Sequence, residues 1–242
     1  TLTCSVRQPF EQQEQFVSSL AEGMQEFGIR QYFDKQPLIF QQYDACVAAF
    51  ENSTGRALGL FGGRWFDVEA QPYFYVWTAF VVDSHRGLGL FPDMQSQLIQ
   101  EISGAVGESQ ALIVLKTYSP VVFQALAGIA AIPGTRMYPN LQSEQQDPEM
   151  IDMAARFLKV AFPSLVLNAQ TGVVLGGQAS VGIEVFPRMP KCTTPEIQQY
   201  FESHLSPADQ ILCLVSAPPG QFPRITDLIR TRAERLLQAR KR

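Results

Sequence analysis

The sequence predicts an α/β protein (α+β in its strand order): a mixed, mostly antiparallel sheet flanked by helices, with extra helices at both ends. Three observations lead there. A turn-rich segment joins two apolar β-like runs near residues 45–61, which predicts an antiparallel hairpin. An aromatic and β-branched run, Tyr73–Val82, leads into a glycine turn and then a helical pattern, and a second strand follows at Ala111–Lys116. That order is a βαβ unit, whose strands are parallel, so the sheet is mixed.

The elements follow in order. Phe10, Phe16, Val17, Leu20, Met24 and Phe27 recur near helical spacing over 10–27, with Gly28 as a stop. Ala45–Phe50 and Arg56–Phe61 flank Glu51-Asn52-Ser53-Thr54-Gly55, and Gly62-Gly63-Arg64 is read as a break or bulge in the second strand. Asp67–Pro72 is the next turn. After Tyr73–Val82 comes the turn Arg86-Gly87-Leu88-Gly89, then a helix over Pro92–Ile102. Pro92 suits the first helical position, and Met94, Leu98, Ile99 and Ile102 form the apolar face. Ala111–Lys116 is apolar almost throughout, as in a strand covered on both faces. Helices are predicted over Pro120–Ala131, Pro148–Phe162, 195–205 and 225–240, and a long loop over 133–148. The late strands are Val173–Leu175, Ser180–Val185 and Ile211–Ser216. Residues 1–217 are read as one domain, and 218–242, after Pro218-Pro219-Gly220, as a basic helix or tail.

Composition narrows the function classes. With 242 residues, 46% hydrophobic and 17% charged, the chain can bury one sizeable core. It contains no run long and apolar enough to cross a membrane. No secretory signal pattern is read, and a cytoplasmic location is the expectation. Cys4, Cys46, Cys192 and Cys213 are scattered with no C-x-x-C pair, so reduced thiols are expected and no metal site. A net charge of −4 argues against general nucleic-acid binding. The charge is uneven, however: 224–242 carries +5 and the remainder −9. Leu228, Ile229, Leu236 and Leu237 sit among those arginines, so the tail can pack on the body or dock an acidic partner or anionic surface.

The turn after Tyr73–Val82 is the most informative stretch. A strand that delivers glycines onto a helix N-terminus makes an anion site, because turn N–H groups and the positive end of the helix dipole face one spot. Phosphate or pyrophosphate is the first ligand to consider. Arg86 either faces such a ligand or stabilises the turn. His85 and His204 read as solvated residues. With only these two histidines, far apart, the chain offers no Ser-His-Asp or Cys-His arrangement.

The run Val81-Val82-Asp83-Ser84-His85-Arg86-Gly87-Leu88-Gly89 resembles the acyl-CoA-binding segment of the GNAT superfamily of N-acetyltransferases, roughly V-x-P-x-x-[RQ]-G-x-G-x-[GA]. The resemblance spans about residues 36–140, including the hairpin before the motif and the strand and helix after it. It implies a GNAT-like fold and an N-acyltransferase that uses acetyl-CoA or another acyl-CoA, without a metal. The acceptor would be a small-molecule or peptide amine that attacks the thioester directly. The pyrophosphate would sit on amides around Arg86, Gly87, Leu88, Gly89, Leu90 and Phe91, and the pantetheine arm along the backbone of Phe80, Val81 and Val82. An amide there can also polarise the thioester carbonyl.

The sequence departs from that pattern in four places. Asp83 replaces a proline, Phe91 replaces the last small residue, and Pro92 has no N–H to offer. A missing charge-assisted bond costs roughly 1–3 kcal/mol of anion stabilisation. Leu126 stands where the family's acid tyrosine would fall. Tyr118, after the fifth strand, is the nearest phenol to serve as general acid, and Asp67 and Glu69, in the turn before strand four, can act as a base through water. Packing or a surface role competes for Tyr118, and solvation for the two carboxylates. The aromatics Trp65, Phe66, Tyr73, Phe74, Tyr75, Trp77 and Phe80 must alternate between sheet faces; one set is core, and the other can line an apolar acceptor or acyl pocket. The competing reading of the whole chain is a GNAT-like binding or interaction module without turnover.

Overall fold

The computed structural model describes residues 2–3, 13–25, 27–106, 110–182, 188–218 and 220–239. In chain order its elements are β1 Leu2–Thr3, α1 Gln13–Glu22, α2 Ile29–Lys35, α3 Ile39–Gln42, β2 Ala45–Phe50, β3 Ala57–Val68, β4 Gln71–Val81, α4 Leu90–Val106, β5 Ala111–Thr117, α5 Pro120–Ala130, β6 Arg136–Tyr138, α6 Pro148–Ala161, β7 Val166–Leu167, β8 Val173–Leu175, α7 Pro195–His204, β9 Gln210–Ala217 and α8 Phe222–Ala239. Short 3-10 turns lie at Asp83–His85 and Ala179–Val181. The strands are ordered β1-β2-β3-β4-β5-β9-β8-β7, and β6 also pairs with β9. β4 and β5 are parallel, whereas β1–β2, β2–β3, β5–β9, β6–β9, β7–β8 and β8–β9 are antiparallel. The predicted mixed, mostly antiparallel sheet with flanking helices is the one observed.

The chain divides into two compact units: Thr1–Arg64 with Val76–Ser109 and Pro219–Arg242, and Trp65–Tyr75 with Gln110–Pro218. In the first, α1 buries Phe16, Val17 and Leu20, and Phe16, Phe33 and Phe40 meet edge-on or stacked. The β2–β3 hairpin closes through Glu51 N–H to Arg56 O and Gly55 N–H to Glu51 O, at 2.9 and 2.8 Å, with Gly55 at φ 70°. The apolar face of α4 buries Met94, Leu98, Ile99 and Ile102, and α4 packs with β2 and α8.

In the second unit β9 is buried along its whole length. It pairs with β5 from Ala111↔Ala217 to Thr117↔Ile211, and along its other edge with β6 and then β8. α6 is capped by Asp147, whose carboxylate accepts from Glu149 N–H at 3.0 Å. Phe157 of α6 is fully buried among Phe66, Tyr73 and Tyr75, a burial worth about 2–3 kcal/mol. Phe74 faces the other way, onto Trp65 at 5.1 Å, as the alternation requires.

Several boundaries differ from expectation, each for a local reason. Gly28 does not end a long helix: α1 stops at Glu22, and Gly28 is the N-cap of α2. Residues 4–12, including Cys4 and Phe10, lie outside the described residues. Gly62 and Gly63 do not break β3, because Gly62 is covered closely by the Tyr43 ring and the strand continues to Val68. The turn near 67–72 shrinks to Glu69-Ala70, both at positive φ (53° and 63°), the handedness a two-residue hairpin needs. Helix α4 starts at Leu90, so Pro92 is its third residue; a missing N–H is tolerated anywhere in a first turn. The loop over 133–148 contains β6. Ala179–Val181 forms a 3-10 turn instead of opening a strand, and 183–185 lie outside the described residues.

Candidate functional site

The first unit holds the strand, turn and helix singled out in the sequence. Phe80 and Val81 close β4, Val82 follows directly, and all three are buried. Val82 N–H donates to Leu58 O at 2.9 Å and Asp83 N–H to Gly23 O at 2.9 Å, which fix where the strand ends. Val82 thus faces β3, and by alternation Ala79 and Val81 turn their N–H and C=O groups to the other edge. Arg86 Nε donates to Val81 O at 3.2 Å, consistent with that orientation. The ladder from β4 to β5 runs over Tyr73, Phe74 and Tyr75.

The chain then tightens through the 3-10 turn Asp83–His85 and two glycines at positive φ, Gly87 at 66° and Gly89 at 82°. Leu88 N–H reaches His85 O, and Asp93 N–H reaches Gly89 O. A helix leaves its first-turn N–H groups without intrahelical acceptors, here those of Leu90 and Phe91, while Pro92 has none to leave. The Phe91 ring meets Phe61 of β3 edge-on at 4.7 Å, so it packs on the sheet. Arg86 is committed to the turn: Nη1 pairs with Asp83 at 2.8 Å, and the guanidinium lies 4.3 Å from the Phe27 ring centroid. Burial pushes the Asp93 carboxyl up, against the opposing pull of Arg230 on α8.

The acid and base candidates belong to the second unit. Asp67 is an exposed residue near the end of β3. Glu69 stands at the hairpin tip, and its carboxylate pairs with Arg156 of α6 at 2.6 Å; Arg156 also holds Asp152 at 2.7 Å. Tyr118 is half-buried between β5 and Ser119, the N-cap of α5. Leu126 is buried on α5. The segment from Phe80 to Phe91 is therefore contiguous within one unit, and Asp67, Glu69 and Tyr118 stand on separate elements of the other.

Sequence reasoning passed over Lys116. It is the one charged residue of the β5 run, on the face shared with Leu112 and Val114. Its ammonium lies 3.7 Å from the Phe162 ring centroid, and burial pushes its pKa down to about 8. A lone lysine ending an apolar strand was the available signal.

Among the described residues, no group of three or more His, Cys, Asp or Glu is placed to hold a metal ion, and no helix is long and apolar enough to cross a membrane. Cys192 and Cys213 are free thiols. No protein-family model matches the chain, and no curated protein matches its sequence. Among solved structures, the chain is similar to a GNAT-family acetyltransferase from Staphylococcus aureus Mu50, at 16% identity over 61% of this chain and 91% of that one, with a TM-score of 0.41. It is similar to the GNAT-family N-acetyltransferase YhbS from Escherichia coli in complex with CoA, at 14% identity over 46% and 61% of the two chains, with a TM-score of 0.37. It is also similar to an aminoglycoside 6′-N-acetyltransferase complexed with coenzyme A, at 12% identity over 90% and 98%, with a TM-score of 0.42.

Proposed function

We propose that this chain is a divergent GNAT-superfamily member that binds acetyl-CoA or another acyl-CoA on the Phe80–Phe91 segment and transfers the acyl group to an amine. One observation carries the reading: β4 hands two positive-φ glycines, Gly87 and Gly89, directly to the N-terminus of the 17-residue helix α4. The donor set suits a pyrophosphate. The amides of Leu90 and Phe91, the permissive backbone of the turn and the helix dipole all favour an anion there. In this reading Arg86 serves by holding the turn in shape through Val81 O and Asp83, and the edge groups of Ala79 with the Val81 N–H serve an extended arm.

The acyl-CoA supplies the activated carbonyl. The acceptor amine, from a small molecule or a peptide, attacks that carbon; the C–N bond forms, the C–S bond breaks, and the thiolate leaves. The amine proton passes to a base, with Asp67 or Glu69 acting through water as the proposed groups, and Tyr118 returns a proton to the thiolate. A second reading is a GNAT-like ligand-binding or protein-interaction module without turnover. It is favoured by Leu126, a buried aliphatic side chain, and by the engagement of Glu69 with Arg156.

Calorimetric titration with acetyl-CoA and with CoA tests the binding step. Saturable heat is expected, lost in Gly87→Val and Gly89→Trp and kept in Gly55→Ala, a positive-φ hairpin glycine with open space around it. No heat and no thermal shift at millimolar ligand would sink the acyltransferase reading and leave a fold kept for binding something else. Saturable binding with no thiol released across a panel of amines would select the second.

A further inference from the structure

The second unit contains a cavity of about 540 Å³, within the range of small-molecule sites. None of its lining residues belongs to the strand–turn–helix segment. Its apolar floor includes Ala127 and Ala130 of α5 and Met137 of β6; the short alanine side chains leave the space. Its charged wall is Arg136, Asp147 and Glu196.

The walls are braced by the protein itself. In the loop after β6, Asn140 N–H donates to Gln146 Oε1 at 2.7 Å, Gln146 Nε2 returns to Asn140 O at 3.0 Å, and Gln142 N–H reaches Asn140 Oδ1 at 3.0 Å. Gln124 of α5 clasps Thr193, just before α7, through two bonds of 2.8 and 3.0 Å. A cavity held open by such bonds needs little ordering when a ligand enters.

The charges select the ligand. Arg136 is already covered by two carboxylates, Asp147 at 3.1 Å and Glu149 at 2.6 Å. Glu196, in the first turn of α7, makes no ion pair among the described residues. The wall therefore carries one carboxylate in excess over an apolar floor.

We propose that this cavity binds a small organic cation, its apolar body on the alanine floor and its ammonium on the Glu196 carboxylate. The site rests on these residues alone and is independent of acyl transfer.

The test is a set of NMR titrations following the amides of Ala127 and Ala130, with phenethylamine, the neutral 2-phenylethanol and the anionic 3-phenylpropionate as probes. Phenethylamine is expected to bind best and the carboxylate worst. Glu196→Gln, a conservative change at an exposed position, should weaken the amine roughly tenfold and leave the alcohol unchanged. Ala130→Leu should abolish binding of all three, with an unchanged far-UV spectrum confirming the fold. The proposal is overturned if the carboxylate binds as well as the amine, if Glu196→Gln leaves the preference intact, or if no probe gives a saturable shift up to about 20 mM.

Discussion

Gly23 lies so close under Val82 that an added Cβ would stand 2.8 Å from the Val82 Cβ and closer still to its Cγ1. The Gly23 carbonyl also accepts the Asp83 N–H at 2.9 Å. The end of α1 is thus fitted to the point where β4 becomes the turn. Neither atom of Val82 belongs to the free end of a flexible chain, so the backbone must give. Gly23→Ala is expected to cost about 1–3 kcal/mol, as overpacking does. Urea unfolding measures that cost, and titration with CoA should show a parallel loss of affinity. Full stability in Gly23→Ala would show that this junction yields easily and does not fix the turn.

Arg86 is expected to act on stability more than on phosphate. Its pair with Asp83 is about 40% exposed on both sides, 43% and 42%, so the pair itself is worth roughly 0–1 kcal/mol. The bond to Val81 O and the stack on Phe27 add to it. Arg86→Ala should destabilise by about 1 kcal/mol while leaving the salt dependence of CoA binding as it is in the parent. A flatter salt dependence would instead put the guanidinium on the anion.

The two phenols beneath β4 share one hydrogen-bond partner. Thr78, almost fully buried, takes the Tyr43 hydroxyl at 2.6 Å and lies 3.1 Å from that of Tyr32. Burial raises the Tyr32 pKa to about 12 and pushes Tyr43 well above its ordinary value. Thr78→Val strips the shared oxygen and leaves a buried hydroxyl short of a partner, at a cost of about 1–3 kcal/mol. Adding Tyr43→Phe to that variant should restore part of the loss, since the orphaned group then disappears. Denaturant midpoints of the two single variants and the double variant check this; strict additivity would show that the hydroxyls do not depend on each other.

What was legible in the sequence follows physical reach. Elements set by a continuous local pattern read correctly: the apolar face of α4, the buried run of β5, and the hairpin closed by Gly55. Elements held by distant partners did not. The two-residue β7 and three-residue β6 exist only because β8 and β9 offer them ladders, and Gly62 stays in a strand because Tyr43 covers it. The same holds for the site. Gly87 and Gly89 are visible as glycines, whereas the commitment of Arg86 to Val81, Asp83 and Phe27 depends on where α1 ends and β4 stops. The Glu69–Arg156 pair joins residues 87 positions apart and has no sequence signature.

Lys116 gives the sharpest pH test. Its folded pKa is about 8 against an ordinary value of 10.5, and the cause is burial. The unfolded chain therefore binds this proton more tightly than the folded one between those two values. The resulting penalty on the fold is complete below about pH 8 and is relieved as pH rises from 8 toward 10.5. It amounts to roughly 3 kcal/mol near neutrality, and the face of the Phe162 ring offsets part of it. Buried thiols and phenols, with Cys213 and Tyr43 pushed up, titrate in the opposite sense at alkaline pH. The parent curve alone is thus ambiguous, and the difference between two chains is the quantity to measure. Lys116→Met keeps the length of the side chain and removes the charge, so it should be more stable than the parent at pH 7. By pH 9 that advantage should shrink by about 1 kcal/mol. An advantage that stays constant between the two pH values would mean that the Lys116 ammonium is solvated in the folded protein and titrates as an ordinary lysine.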